Sequence, residues 1–153
     1  MASVSVEHIN TFLMAAKKIL NDACQVDVTI GKPALRETAL AEDSVVITVG
    51  LIGDMQGQVM MDLPLETACD IASKMCMMPI AEMNEISISA LSELGNMIMG
   101  NAATLFSAKE IAMDITTPAL SRGNEAFTGN AKNISVPLTY EGSKIIGLNI
   151  SAM

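Results

Sequence analysis

The sequence predicts an α+β fold in which helices pack on antiparallel sheets, in the order α-β-β-β-α-α-β-β-β. Three observations lead to this fold class. Helical segments carry apolar residues three and four positions apart, the strands come in consecutive runs, and short turns between strands force antiparallel pairing. Half of the 153 residues are apolar and only 17% are charged, so we expect residues 1–153 to form one domain with a large core.

The first half of the chain begins with a helix. Apolar residues recur at helical spacing over residues 6–22, and Ser5 is placed to cap the start. Residues 25–30 alternate polar and β-branched side chains, which predicts a strand. Residues 44–52 and 58–63 are apolar runs separated by a Gly-containing turn, a pattern typical of an antiparallel hairpin.

Two helices are predicted in the middle of the chain. Pro64 suits the first position of a helix, where a missing N–H is tolerated, and helical spacing continues to residue 77 before Pro79. The longest helical pattern follows over residues 82–107 and contains no proline.

Three strands are predicted after the long helix, at residues 111–117, 133–140 and 144–151. Residues 118–131 form a polar loop, and a tight turn at Glu141 joins the last two strands. A helix followed by three strands therefore occurs twice. This order indicates an internal repeat in which the first and third helices are counterparts.

Charge and composition argue against several classes of function. The nine Lys and Arg residues are scattered and the formal net charge is -8, which disfavours nucleic acid and membrane surfaces as partners. No apolar run approaches a membrane span and no secretion signal begins the sequence, so we expect a cytoplasmic protein.

Three cysteines with one histidine form no zinc-binding pattern, and Cys69 and Cys76 are expected in the core. Neither a Ser-His triad setting nor a nucleotide-binding glycine motif is present.

The long helix is predicted to carry most of its small and polar residues on one side. At 100° per residue these residues fall within an arc of about 100°. They are Glu85, Ser89, Ser92, Glu93, Asn96, Gly100, Ala103 and Ser107. Bulky residues occupy the remaining arc, which predicts deep burial on the other sides. They are Ile86, Ile88, Ala90, Leu91, Leu94, Met97, Ile98, Met99, Leu105 and Phe106.

Two polar residues of this strip stand about one turn apart. Glu93 and Asn96 are three positions apart and share a helix face, and Gly100 follows one turn later. The spacing alone is weak evidence, because a solvated face with glycines for close helix packing has the same pattern. A second Glu-x-x-Asn, formed by Glu7 and Asn10 in the first helix, supports the repeat.

The residues around this pair resemble a known motif. The segment SELGNMIMGNA at 92–102 is similar to the Glu-x-x-Asn helix motif of the CheC/CheX/FliY phosphatases of bacterial chemotaxis, and the start VEHINTF at 6–12 and the element order resemble CheX. The resemblance implies an enzyme that hydrolyses the aspartyl phosphate of a CheY-type response regulator. It also implies a homodimer, and Mg²⁺ supplied by the regulator rather than bound by this chain.

The resemblance further implies a role for each residue of the strip. Asn96 would orient the attacking water, a task that suits a neutral carboxamide because phosphoryl transfer needs in-line placement more than a strong base. Glu93 would dock on the regulator's lysine. The strip residues Ser89, Ser92 and Gly100 would contact the partner, although Gly100 could instead leave room for a neighbouring backbone.

Two alternatives remain open from the sequence. Glu7 and Asn10 could form a second site, but Met14 stands where the motif of the long helix has Gly100, and its bulk disfavours docking. The domain could also be a non-catalytic module that binds a response regulator, as in a flagellar switch or scaffold. The presence of both Glu93 and Asn96 favours the enzyme.

Overall fold

The structure is a computed structural model and describes residues 5–36, 43–123 and 133–152. Within these residues three helices and eight strands follow one another along the chain. They are α1 (Val6–Cys24), β1 (Thr29–Ile30), β2 (Ala34–Arg36), β3 (Val45–Gly53), β4 (Gly57–Leu63), α2 (Leu65–Cys76), α3 (Glu85–Ser107), β5 (Met113–Ile115), β6 (Ala119–Arg122), β7 (Asn133–Tyr140) and β8 (Lys144–Ala152).

All eight strands belong to one antiparallel sheet. Its centre has the order β7-β8-β4-β3, in which two hairpins meet along the β4–β8 pair. The short strands β1 and β2 both pair with β7, while β5 and β6 both pair with β3. The two halves of the chain therefore exchange their edge strands, because the first half supplies the partners of β7 and the second half supplies those of β3.

The core lies between the helices and one face of the sheet. On β3 alternate side chains, from Val45 to Leu51, are buried towards the helices, as the period of two in a strand requires. Helix α3 packs on β3, β5 and β6, helix α2 packs on β4 and β8, and α1 packs on both other helices. The buried aromatic residue Phe12 of α1 packs edge to face against Phe106 of α3, with ring centroids 5.1 Å apart.

Helix starts follow the capping chemistry of the sequence. The hydroxyl of Ser5 accepts a hydrogen bond from the backbone N–H of His8 at 3.1 Å, as predicted for the start of α1. Helix α3 begins at Glu85, three residues later than its apolar pattern suggests. Asn84 and Ser87 form a reciprocal capping box there, and this fixes the first turn.

The α+β class, the three helices and the strands predicted at 44–52, 58–63, 133–140 and 144–151 are confirmed. The strands predicted at 25–30 and 111–117 are shorter in the structure, where they cover only Thr29–Ile30 and Met113–Ile115, and two further short strands were not predicted. Strand β2 follows Pro33, and β6 lies inside the segment 118–131 that we expected to be a loop. Strand β2 has three residues and β6 has four, and β6 shows no clear alternation of buried and exposed side chains. Their pairing depends on distant strands, so local sequence carries little signal for it.

Candidate functional site

The third helix is fixed closely against the sheet by a glycine. Gly95 is buried, and a Cβ atom added there would lie 2.7 Å from the Cγ2 atom of Ile47 on β3. A larger residue would push the helix away from the sheet, so packing explains this glycine. The same test at Gly100 finds no atom within 4 Å. Gly100 therefore faces open space, and no neighbouring backbone of the described residues requires it.

The predicted strip of α3 faces solvent. Ser89, Glu93 and Asn96 are exposed, and Ser92 and Gly100 are half-buried beside them. The opposite side of the helix packs in the core, where Leu91, Leu94 and Ile98 are completely buried. The structure thus brings all five candidate residues onto one accessible face of a helix that is held rigidly from behind.

The side chains of Glu93 and Asn96 are free to receive a partner. Among the described residues, neither side chain makes a hydrogen bond or an ion pair. A carboxylate with no internal cation is available to a basic group of another protein. An amide without internal partners can still offer both an acceptor oxygen and two donor hydrogens.

The second copy of the motif, on α1, is in a different environment. The carboxylate of Glu7 lies 3.4 Å from the ammonium group of Lys109, which also donates to the hydroxyl of Thr11 at 2.9 Å. Asn10 is exposed, but Met14 projects into solvent one turn further on, with 62% of its surface exposed. The helix therefore places a paired acid and a bulky side chain where α3 has a free acid and a glycine.

One prediction about α3 was wrong. Ile86 and Ile88 were expected to be buried with the other bulky residues, but 51% and 40% of their surfaces are exposed. A helical wheel gives the direction of a side chain, but it does not show whether another element packs against that part of the helix.

An open groove runs along this first part of α3 beside the end of α2. It is lined by Cys76, Glu85, Ile86, Ile88, Ser89, Ala90 and Glu93.

This groove was missed because its signal lies in the connection between the helices. The sequence Met75-Cys76-Met77-Met78 ends α2 with apolar residues where a polar exposed turn is usual. Cys76, expected in the core, is only half-buried, whereas Cys69 is buried as predicted. The cysteines of the described residues are free thiols, and burial raises the pKa of Cys24 to about 11, which makes that thiol unreactive.

A second cluster of ionisable groups joins α2 to the β7–β8 turn. We call it the charged network, and it consists of Asp70, Lys74, Tyr140, Glu141 and Lys144. The Tyr140 hydroxyl donates to Asp70 at 2.7 Å, and Lys74 contacts both Asp70 at 3.1 Å and Glu141 at 3.3 Å. Lys144 lies 2.7 Å from Glu141 and 3.6 Å from Asp70. Every member has partners inside the network. We therefore interpret the charged network as a structural contact that holds α2 to the β7–β8 turn.

The pKa values of the network agree with this role. Burial alone would raise the pKa of Asp70, but hydrogen bonds from Tyr140 and Lys74 and the charge of Lys144 outweigh it, so the pKa lies below its ordinary value. Burial and the hydrogen bond to Asp70 raise the pKa of Tyr140, which keeps its hydroxyl protonated. The hydrogen bond from Lys144 lowers the pKa of Glu141.

The part of the chain that the structure describes contains no cluster of three or more His, Cys, Asp or Glu side chains placed to hold a metal ion. Helices of sufficient length and hydrophobicity for a membrane span are also absent from residues 5–36, 43–123 and 133–152.

Comparison with known proteins gives consistent matches. The family model described as "Chemotaxis phosphatase CheX" matches residues 45–144. The CheY-P phosphatase CheX of Thermotoga maritima is 26% identical over 118 residues, which are 76% of each chain. A CheX chain in the CheX-CheY-BeF3-Mg complex from Borrelia burgdorferi aligns with a TM-score of 0.83 and 31% identity, covering 97% of this chain and 99% of that one. A CheC-like superfamily protein from Shewanella sp. PV-4 aligns with a TM-score of 0.85 at 24% identity over 98% of this chain and 99% of that one, and it shows a shared fold.

Proposed function

The chain belongs to the CheX family of chemotaxis phosphatases, and from this premise we propose that it hydrolyses the aspartyl phosphate of a CheY-type response regulator. One observation carries the proposal. Glu93 and Asn96, which match the motif of the family, lie together on an exposed helix face with no partner among the described residues. The CheX relative from Thermotoga maritima is named a CheY-P phosphatase, and the Borrelia relative was solved in complex with CheY.

In this proposal Asn96 aligns the nucleophile. The transition state of phosphoryl transfer is loose, so the largest contribution comes from holding a water molecule in line with the phosphorus and the leaving oxygen. The carboxamide of Asn96 can accept a hydrogen bond from that water without bringing a negative charge near the phosphoryl group. Because α3 packs against the core, the helix backbone that carries the amide is in place before the partner arrives.

Glu93 supplies the docking contact. Its carboxylate lies on the same face as Asn96, and it pairs with the lysine beside the regulator's phosphoryl group, which sets the register of the helix. Ser89 and Ser92 line the same face, and the open space at Gly100 admits the partner's backbone. These residues contribute shape and hydrogen bonds rather than chemistry.

The remaining parts of the proposal concern partners and location. Mg²⁺ is supplied by the regulator, which is in line with the presence of BeF3 and Mg in the complex from Borrelia burgdorferi. The chain acts in the cytoplasm, where a response regulator would meet it, and it forms a homodimer.

The first helix is not part of the proposed site. Glu7 is paired with Lys109, so docking there would require breaking an existing ion pair, and Met14 blocks the position that corresponds to Gly100. A regulator lysine would therefore gain less from Glu7 than from Glu93.

The decisive experiment measures phosphate release from the phosphorylated CheY-type regulator of the same genome. We expect Asn96→Ala to lower the rate about 100-fold or more, which is typical when a group that positions a nucleophile is removed. Its stability should change by less than about 1 kcal/mol, because Asn96 is exposed. Circular dichroism and thermal unfolding check that the fold is intact.

The chain offers a matched control for this experiment. Asn10→Ala removes the same side chain from the equivalent position of α1, and we expect it to keep wild-type activity. Glu93→Gln should raise KM more than it lowers kcat. If Asn96→Ala turns over at the wild-type rate, the assignment of the site is wrong. If the wild type binds the regulator without accelerating phosphate loss, the chain is a non-catalytic binding module.

A further inference from the structure

We propose that the regulator also docks on an apolar patch beside the motif, which we call the methionine patch and define as Met77, Met78 and Ile86. The inference rests on the proposed function, since it extends the surface that the same partner covers. The patch lies where α2 ends and α3 begins, and it adjoins the groove that Glu93 lines.

The first argument is the conformation of Met77. This residue is the C-cap of α2 with a φ of 56°, a left-handed conformation that helix ends normally assign to Gly or Asn. A side chain with a Cβ atom is strained in this conformation. Met77 is also 90% exposed, so its side chain gains almost no packing within the chain. The residue costs stability, and only a contact with another molecule would use its apolar surface.

The second argument is continuity with the proposed site. Ile86, Ser89 and Glu93 occupy successive turns of α3 and line one groove, together with Cys76 at the end of α2. Met77 follows Cys76 directly, and Met78 is exposed beside it. A protein that seats a lysine on Glu93 would therefore also cover Ile86 and the end of α2. Methionine suits such a surface because its flexible side chain adapts to the partner.

The third argument is the negative charge around the patch, which indicates the kind of partner that binds there. Glu82, Glu85 and Glu93 are exposed near the patch, and none of the three forms an ion pair within the described residues. The partner must present an apolar side chain next to basic groups. A face of the regulator that carries the lysine beside its phosphoryl group meets the basic requirement. A second copy of this chain, packed patch to patch, would bring the same carboxylates together and be repelled.

The test uses Met77→Asn in the full-length chain. Asparagine fits the left-handed conformation better than methionine, so we expect thermal stability to stay equal or rise. Affinity for the regulator, activated with BeF3⁻ as a stand-in for the phosphoryl group and with Mg²⁺, should fall about tenfold, as expected for loss of a buried apolar contact in an interface. In the hydrolysis assay KM should rise and kcat should remain unchanged.

A second variant and a control make the result decisive. Ile86→Ser should weaken binding in the same way, whereas Ile52→Thr, which changes a 54% exposed residue on the opposite face of the sheet, should leave it unchanged. Wild-type affinity in both Met77→Asn and Ile86→Ser overturns the inference. Self-association of the wild type that Met77→Asn abolishes, without a change in regulator affinity, overturns it too. Neither outcome affects the proposed function, which is tested separately by the phosphate-release assay on the wild type and on Asn96→Ala.

Discussion

At the scale of single residues, two copies of the same sequence motif can differ in the contacts that their side chains make. The two Glu-x-x-Asn copies have the same spacing, and both Asn96, which periodicity placed on the polar strip of α3, and Asn10 are exposed in the structure. The ion pair between Glu7 and Lys109 could not be predicted, because the two residues are far apart in sequence and meet only when α1 packs on α3. Similarly, no local pattern connects Asp70 with Tyr140.

We expect Asp70→Asn to lower the free energy of unfolding at pH 7 by about 1–2 kcal/mol, because the variant loses charged hydrogen bonds to Tyr140 and Lys74. The matched control is Asp27→Asn, since Asp27 pairs with Lys17 on the surface with 79% of its side chain exposed. Such an exposed pair contributes less than about 1 kcal/mol. Chemical denaturation of both variants measures the difference, and equal effects would contradict the role of the charged network.

The same carboxyl group also predicts a pH dependence. Its pKa in the folded protein is below the ordinary value of 3.8, so Asp70 stabilises the fold at pH values above 3.8. This stabilisation is lost as the pH falls from 3.8 through the lower pKa of the folded state. The wild type should therefore lose stability more steeply in this acidic range than Asp70→Asn does. Parallel acid unfolding curves for the two proteins would show that Asp70 is not responsible.

At the scale of elements, the helices and long strands were predictable because their periodicity spans many residues. The period of α3 gave its exposed strip, while the sequence could not show that its first turns have no neighbour over Ile86 and Ile88. The two glycines of α3 also look equivalent in the sequence. The structure separates them, since Gly95 touches Ile47 and Gly100 faces open space.

We therefore expect opposite effects of the same substitution at the two glycines. Gly95→Ala should destabilise the fold by about 1–3 kcal/mol, because the new methyl group would collide with Ile47. Gly100→Ala should stabilise α3 by up to about 1 kcal/mol, because alanine is the better helix former and meets no atom within 4 Å. Thermal unfolding measures both changes. Stabilisation by Gly95→Ala would show that the sheet does not limit the approach of α3.

At the scale of the whole molecule, the internal repeat inferred from the element order corresponds to two hairpins that meet along β4 and β8. The exchange of edge strands between the halves was not predictable, because it depends on short strands with little sequence signal. The outermost strands, β1 with β2 and β5 with β6, have only two to four residues each. Short edges reduce unwanted pairing with other sheets but leave backbone groups available to a specific partner.

The proposed homodimer is tested directly by sedimentation. We expect a species of twice the 16.1 kDa chain mass at micromolar concentration. Met77→Asn serves as the control, since the methionine patch is assigned to the regulator and its loss should leave the dimer intact. A single species of monomer mass across this concentration range would exclude a stable homodimer.

Strand exchange also makes the two halves dependent on each other for folding. A polypeptide that ended after α2 would keep the β3–β4 pair but would lack β7, the partner of β1 and β2, the strands β5 and β6 that pair with β3, and β8, which pairs with β4. The complementary piece would lack the other side of the same pairings. In each piece alone, the backbone groups of these strand edges would have no strand partner. Each half of the chain therefore supplies strands that complete the part of the sheet formed by the other half. We expect the sheet to form when the two halves associate, and not from either half alone.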